Sequence, residues 1–397
     1  MNIDWQGANN IKRLYGDLIE EEVNKKTQYR DYNSIPIPND VVKKFSALGL
    51  FTYMLPNKYG GKELGDAVWG HVLEKIGYLS SDTSLPFLIS VRVSFTSALI
   101  ATESQFFIEE YVSQLAIGEQ FGAFVYTENA DAFSFSSHAI YCSDTNKYIL
   151  NGTKRYITGG ATADLFLVFV RSEKSSDLQV FLVKRSDPGV EITPRMMHGV
   201  HSLGIAQLDL NNVQLDKDRL LVASDGLSFV QRYFLNSRRS LLPTLFLGRA
   251  RAIIEQTIHY LQKTIRYDAP LAEMQHVQAA IGRMTIALET ARTMVFHSLE
   301  RQARKESDPY WDPISSAAKH YAIEQINYIV LMALKLTGGW GYTEESGFGR
   351  SQRDFASMLA GADPQEKLEV DLGIRAIHEF QMLAQQKTVQ EEKQNEI

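Results

Sequence analysis

The hydrophobic period of this chain changes twice, which leaves few architectures open. Up to about residue 118, apolar residues recur at helical spacing: Ile11, Leu14, Leu18 and Ile19, then Val41, Val42, Phe45, Leu48 and Leu50. Asn39 or Asp40 is the expected N-cap of the second run, and Tyr59-Gly60-Gly61 is the turn that closes it. From about 119 to 222 the pattern becomes that of strands. Tyr148–Lys154 reads as a strand running into a turn, and Val180–Val183 and Gln207–Leu210 as two more. Leu165–Val170 is apolar throughout, as expected of a strand covered on both faces. Asp187-Pro188-Gly189 supplies turn chemistry.

From about 223 long helical periods return: Leu227 to Ile265, with Pro243 expected to kink it, then Met274 to Lys305, then Ile314 to Leu336. Gly338 and Gly339 are the expected end of the third helix, and the Gln/Glu/Lys-rich tail after Leu383 is expected to fray. The expected domains are therefore helical (1–118), β (119–222) and helical (223–397). A β module of about 100 residues is too small for a doubly wound sheet with its crossovers, and fits a compact antiparallel barrel or sandwich.

Bulk properties exclude several classes. The net charge is −6 with no basic stretch, which argues against nucleic acid as a partner. The first residues lack a secretory pattern, and the apolar run Pro86–Ala101 is interrupted by Arg92, so no membrane association is expected. Cys142 is the single cysteine and reads as a small buried hydrophobe in a strand, consistent with a reducing cytoplasm. No spacing of His, Cys or Glu suggests a metal site.

Six phrases, in order over roughly residues 40 to 375, carry a resemblance. They are Gly49–Gly61 with its Pro56 and Tyr59-Gly60-Gly61, Tyr126-Thr127-Glu128, Asn151–Thr158, Gln275–Gln278, Gly338-Gly339-Trp340-Gly341-Tyr342 and Arg353-Asp354. Together they resemble the acyl-CoA dehydrogenase family. The resemblance implies an N-terminal helical domain, a central β-barrel or sandwich and a C-terminal four-helix bundle. It implies FAD as cofactor, an acyl thioester of coenzyme A or a carrier protein as substrate, and a homodimer or homotetramer.

The family's chemistry makes three demands. The flavin ring would be held by Tyr126, Thr127, Tyr156 and Thr158, with Tyr156 standing where the family usually has Trp. The diphosphate would normally meet a Gly-rich turn; here the run is Asn129-Ala130-Asp131-Ala132-Phe133-Ser134, leaving Ser134 or Ser136 as donors. Arg266, Gln275, Lys335, Gly338 and Gly339 are the further cofactor-binding candidates by resemblance. A base is also needed. Ala360-Gly361-Ala362 replaces the family's Glu-Gly-Thr loop, and the alternative position, just before Arg239, holds Arg238. Arginine accepts no proton near neutral pH. Asp363 is the nearest carboxylate and the candidate catalytic residue, although Asp363-Pro364 also reads as a helix start. Gly248, Arg249 and Arg251 read as helix packing and surface charge.

Three functions fit this pattern. One is a flavoenzyme acting on an acyl thioester with a relocated base. The second is a flavin monooxygenase or oxidase on the same fold, with His198, His201 or His378 steering the flavin adduct. The third is a non-redox subunit paired with an active relative.

Overall fold

A computed structural model describes residues 8–129, 131–173 and 177–395. Helix α1 (Ala8–Ile19) passes through a wide π turn (Glu20–Asn24) into α2 (Lys25–Asn33). Ile11, Tyr15, Ile19 and Val23 form the buried stripe; of the residues read from the sequence, Ile11 and Ile19 belong to it, Leu18 is half-buried and Leu14 is exposed. Helix α3 (Asn39–Ala47) follows Pro38 and has no side-chain cap. Asn39 does something else: its amide donates to Thr162 O at 2.9 Å and its Oδ1 accepts from Arg92 at 2.9 Å, tying α3 to the β domain. The expected capping role is therefore corrected.

Helices α4 (Asp66–Leu79), α5 (Ser84–Ala101) and α6 (Gln105–Ala116) complete the first unit. By length and composition α5 is apolar enough to cross a membrane, contrary to the expectation that Arg92 interrupts it; its mean hydropathy is 1.6 and 78% of it is buried within the protein. Arg92 is buried too, held by Asn39 and Thr162 and lying 3.7 Å from the centre of the Phe121 ring.

The β domain is one sheet of β1 (Gly122–Val125), β2 (His138–Cys142), β3 (Lys147–Ile157), β4 (Leu165–Ser172), β5 (Leu178–Lys184), β6 (Val190–Pro194), β7 (Ala206–Asp216) and β8 (Leu220–Val222), in the order β6-β7-β3-β2-β4-β5-β8. Most pairings are antiparallel, as expected. Strand β4 is the exception: it pairs in parallel with β1 along Leu165–Val168 and with β2 at Arg171 and Ser172. The apolar run in β4 has a direct cause. Phe166, Val168 and Val170 pack in the sheet's own core, while Leu165, Leu167 and Phe169 join the helical core on the other face. Strand β3 continues past Asn151-Gly152, where a turn was expected. Gly152 (φ +143°) forms an irregularity opposite β7, with Ser137 packed where a side chain would be. Cys142, at the end of β2, is half-buried rather than fully buried.

The third unit begins with α7 (Gly226–Val230) and a π segment (Gln231–Asn236) leading into α8 (Ser237–Lys263). Helix α8 runs unbroken through Pro243; the change in helical winding lies one turn earlier, in the π segment. A short ribbon of β9 (Ile265–Arg266) and β10 (Ala269–Pro270) leads to α9 (Gln275–Ala303), α10 (Pro313–Thr337), α11 (Phe348–Ala360) and α12 (Gln365–Asn395). Asp312 caps α10 by accepting from Ser315 N at 2.8 Å, and Gly338 N closes it on Leu334 O. Helices α8, α9 and α10 pack on one another, with α4 against α8 and α9, and α12 against α10. The tail expected to fray continues as α12 to Asn395.

Candidate active site

A cleft of about 1460 Å³ opens where the β domain meets both helical units. Its β wall is the joined ends of β1 and β3. Arg155 N donates to Thr127 O at 2.8 Å, and Lys154 Nζ donates to Tyr126 O at 3.0 Å. These bonds set Tyr126 and Thr127 beside Tyr156 and Thr158, and all four line the cleft. None of their hydroxyls makes a hydrogen bond among the described residues. Tyr156 holds a left-handed backbone (φ +56°) and is 56% exposed. Burial, followed by the nearby Asp363 and Asp131, pushes the Tyr126 phenol up to about 12.

Lys154 is fully buried and pairs with Glu128 at 2.8 Å. Glu128 in turn accepts from Ser136 N at 2.7 Å and Ser136 Oγ at 2.9 Å, and from Ser137 N at 3.2 Å. The carboxylate thus occupies Ser136, which removes it as a phosphate donor. Ser134 is exposed and does not line the cleft, against the sequence expectation. Asp131 does line it, but its side chain caps Phe133 N at 2.9 Å.

The opposite wall is the loop between α11 and α12. Ala360, Gly361, Ala362 and Asp363 all line the cleft. Ala362 (φ +53°) and Asp363 (φ +72°) are consecutive left-handed residues, each costing about 1–3 kcal/mol without glycine. Three side chains offset that strain. Arg239 donates to Asp363 Oδ2 from Nε (3.0 Å) and Nη2 (2.7 Å). Lys319 Nζ donates to Asp363 O at 2.7 Å and to Gln365 Oε1 at 2.8 Å. Gln365 Nε2 donates to His320 O at 2.9 Å. Lys319 is wholly buried, and burial lowers its ammonium pKa to about 8. The sequence offered no signal for Lys319, which sits in mid-helix with no motif around it.

The histidine candidates separate. His201 is locked between Asp31 and Met197 O, at 2.8 Å to each backbone oxygen, and does not line the cleft. His198 and His378 do line it, and both are exposed.

The remaining cofactor candidates lie elsewhere. Arg266, Gln275, Lys335, Gly338 and Gly339 are exposed, and none lines the cleft. They gather at one end of the antiparallel helices α8, α9 and α10, the end marked by Tyr260 stacked on Trp340 at 4.4 Å. Arg238 and Arg239 lie at the other end of α8, roughly 36 Å away at 1.5 Å per residue. Arg249, read as a surface charge, is buried, with its Nε 3.3 Å from Ser351 Oγ. Gly248 is a packing residue as expected: a Cβ there would lie 1.9 Å from Glu74 O on α4.

Three consecutive domain models of one family match the chain: the acyl-CoA dehydrogenase N-terminal domain over residues 8–119, the middle domain over 123–213 and the C-terminal domain over 224–363. The chain belongs to the acyl-CoA dehydrogenase family. Among curated relatives, the 3-(aryl)acrylate reductase of Clostridium sporogenes is 27% identical, covering 87% of this chain and 91% of its own. Among solved structures, butyryl-CoA dehydrogenase from Megasphaera elsdenii aligns with a TM-score of 0.87 at 21% identity, covering 95% of this chain and all of that one. The FAD complex of PigA aligns with a TM-score of 0.84 at 19% identity, covering 95% of this chain and 98% of that one. In this acyl-CoA dehydrogenase family member the cleft lies between the three family domains. Its one carboxylate on the α11–α12 loop is Asp363.

Proposed function

We propose that this chain is an FAD-dependent oxidoreductase that removes hydrogen from an acyl thioester, with Asp363 as proton acceptor. One observation carries the reading: a single cleft is lined both by hydroxyls from two strand ends that make no hydrogen bond among the described residues and by a loop carboxylate. The donor set suits a flavin. Tyr126, Thr127, Tyr156 and Thr158 offer free hydroxyls to its polar edge, and the aromatic faces of Tyr126 and Tyr156 offer stacking surface. When bound, FAD would supply the two-electron oxidation, as hydride acceptor for the acyl group.

The chain's own residues supply orientation and the proton acceptor. Oδ2 of Asp363 is taken by Arg239. Oδ1 makes no hydrogen bond among the described residues, with Lys367 Nζ at 3.9 Å. Oδ1 is therefore the atom that receives the α-proton, while Arg239 fixes the carboxylate's orientation. Phe87, Val91, Phe124 and Phe234 give the acyl chain an apolar floor from which water is displaced on binding.

The same reading makes the protein a homodimer or homotetramer. Arg266, Gln275, Lys335, Gly338 and Gly339, exposed and far from their own cleft, are the groups a second copy would offer to the cofactor's far end. A reducing cytoplasmic setting suits the lone half-buried Cys142.

The test is the visible spectrum of the purified chain, followed by anaerobic addition of acyl-CoA thioesters. Flavin absorption that bleaches with a thioester supports the proposal. A colourless chain that takes up no added FAD would sink it. Flavin that bleaches only with a separate reductase, and then consumes oxygen, would favour an oxygenase.

A further inference from the structure

The cleft contains a guanidinium that has no hydrogen bond or ion pair among the described residues. Arg238 lines it on the first turn of α8. Its Nε is buried with no hydrogen-bond partner, and no ion pair involves it among the described residues. Its guanidinium lies 4.4 Å from the centre of the Phe234 ring, which itself packs against Phe124 at 4.6 Å and Tyr126 at 6.2 Å. The carboxylate whose field reaches it is Asp363, and Arg239 already holds that group. Three other cleft-lining cations are matched, Arg353 with Asp31, Lys367 with Asp371 and Arg375 with Glu379, while Arg155 on the β wall has no ion pair among the described residues. Arg238 is half-buried on an aromatic wall, with its Nε shut off from solvent and no carboxylate paired with it among the described residues, so it is placed to meet an anion that enters the cleft. Guanidinium is the side chain best suited to a carboxylate, which it grips through paired N–H donors.

We infer that Arg238 receives a carboxylate carried by the acyl group, so that the substrates are thioesters of acids with a second, free carboxyl group. The inference rests on the thioester reading above. Arg238 sits beside Arg239, the residue that orients Asp363, so the second carboxylate is bound on the same side of the cleft as the proton acceptor. A methyl-ended acyl group of equal length fills the apolar floor and leaves Arg238 unmet.

The experiment compares succinyl-CoA with butyryl-CoA, matched in chain length, and adds free succinate as a third probe. Dissociation constants are measured by calorimetry on the purified chain, on Arg238→Gln and on Arg238→Lys. The wild-type chain is expected to prefer succinyl-CoA by roughly 10- to 100-fold, the worth of one hydrogen-bonded charge pair. Arg238→Gln is expected to erase the preference and Arg238→Lys to restore part of it. Equal binding of the two thioesters by the wild type, or a preference that persists in Arg238→Gln, overturns the inference. If neither thioester binds but succinate does, and Arg238→Gln abolishes that, the thioester reading falls and the carboxylate site stands. If none of the three binds, the carboxylate site falls as well.

Discussion

Arg239 grips Asp363 through two hydrogen bonds to one carboxylate oxygen, 3.0 Å from Nε and 2.7 Å from Nη2, and leaves the other oxygen without a hydrogen bond among the described residues. The arginine side chain is 4% exposed and the aspartate 13%. A pair this enclosed stays intact only if neither partner is lost. It fixes a carboxylate in a loop where Ala360-Gly361-Ala362 offers no acceptor of its own.

Replacing Asp363 separates chemistry from structure. Asp363→Asn keeps an acceptor for Arg239, so the fold and cofactor content are expected to persist. The rate of thioester-driven flavin bleaching is expected to fall by roughly 10²–10⁴-fold. Stopped-flow absorbance checks this, and an unchanged bleaching rate would remove Asp363 from the mechanism. Asp363→Ala is expected to destabilise by about 3–5 kcal/mol as well, because it leaves Arg239 buried and alone.

Glu128 and Lys154 should show the same asymmetry. Glu128 holds the segment from Ser136 to Ser137 while neutralising a fully buried lysine. Glu128→Ala is expected to cost about 3–5 kcal/mol. The double replacement Glu128→Gln with Lys154→Met should cost less, because no charge is stranded. Urea unfolding of the two variants tests this, and a double variant less stable than Glu128→Ala would contradict it.

The crossing of α4 and α8 depends on two glycines. A Cβ at Gly248 would meet Glu74 O at 1.9 Å, and one at Gly77 would meet Leu245 O at 2.1 Å. Both obstacles are backbone and cannot swing aside. Either glycine replaced by alanine is expected to lower stability by about 3 kcal/mol or more. Gly282, with nothing within 4 Å, is the control; alanine there should be neutral or slightly stabilising, since it favours the helix. Thermal unfolding would show the contrast.

Asp354 makes stability depend on pH. It joins all three units: Thr83 Oγ1 donates to it at 2.6 Å and Val200 N at 2.6 Å. Burial, then the field of Asp82, raises its pKa from 3.8 to about 6. Between those values the folded state holds more protons than the unfolded one. The contribution of Asp354 is therefore fully present below the unfolded value and is lost as pH rises through about 6. Asp354→Asn is expected to flatten this decline. Unfolding free energies of both proteins measured from pH 4 to 7 test it, and parallel curves would contradict it.

The sequence fell short where a role depended on partners distant along the chain. Tyr126, Thr127, Tyr156 and Thr158 are singled out by their place in family-like phrases, and the sheet brings all four to one cleft. Ser136 looked available, yet Glu128, eight residues earlier, occupies it. Asn39 looked like a cap, yet its amide reaches Thr162, 123 residues away. Arg249 looked like surface charge and is buried against α11.

By itself the sequence determined the order of helices, sheet and helices, because hydrophobic period is a local property that each segment carries alone. It also placed a carboxylate beside a loop lacking the family's usual one. Only the tertiary structure decided that Arg239 would hold that carboxylate across 124 residues while Arg238, its neighbour, would have no ion pair among the described residues. Adjacent residues on a helix point about 100° apart. Which of the two cations meets an anion is set by the packing around the helix, and no spacing along the chain encodes it.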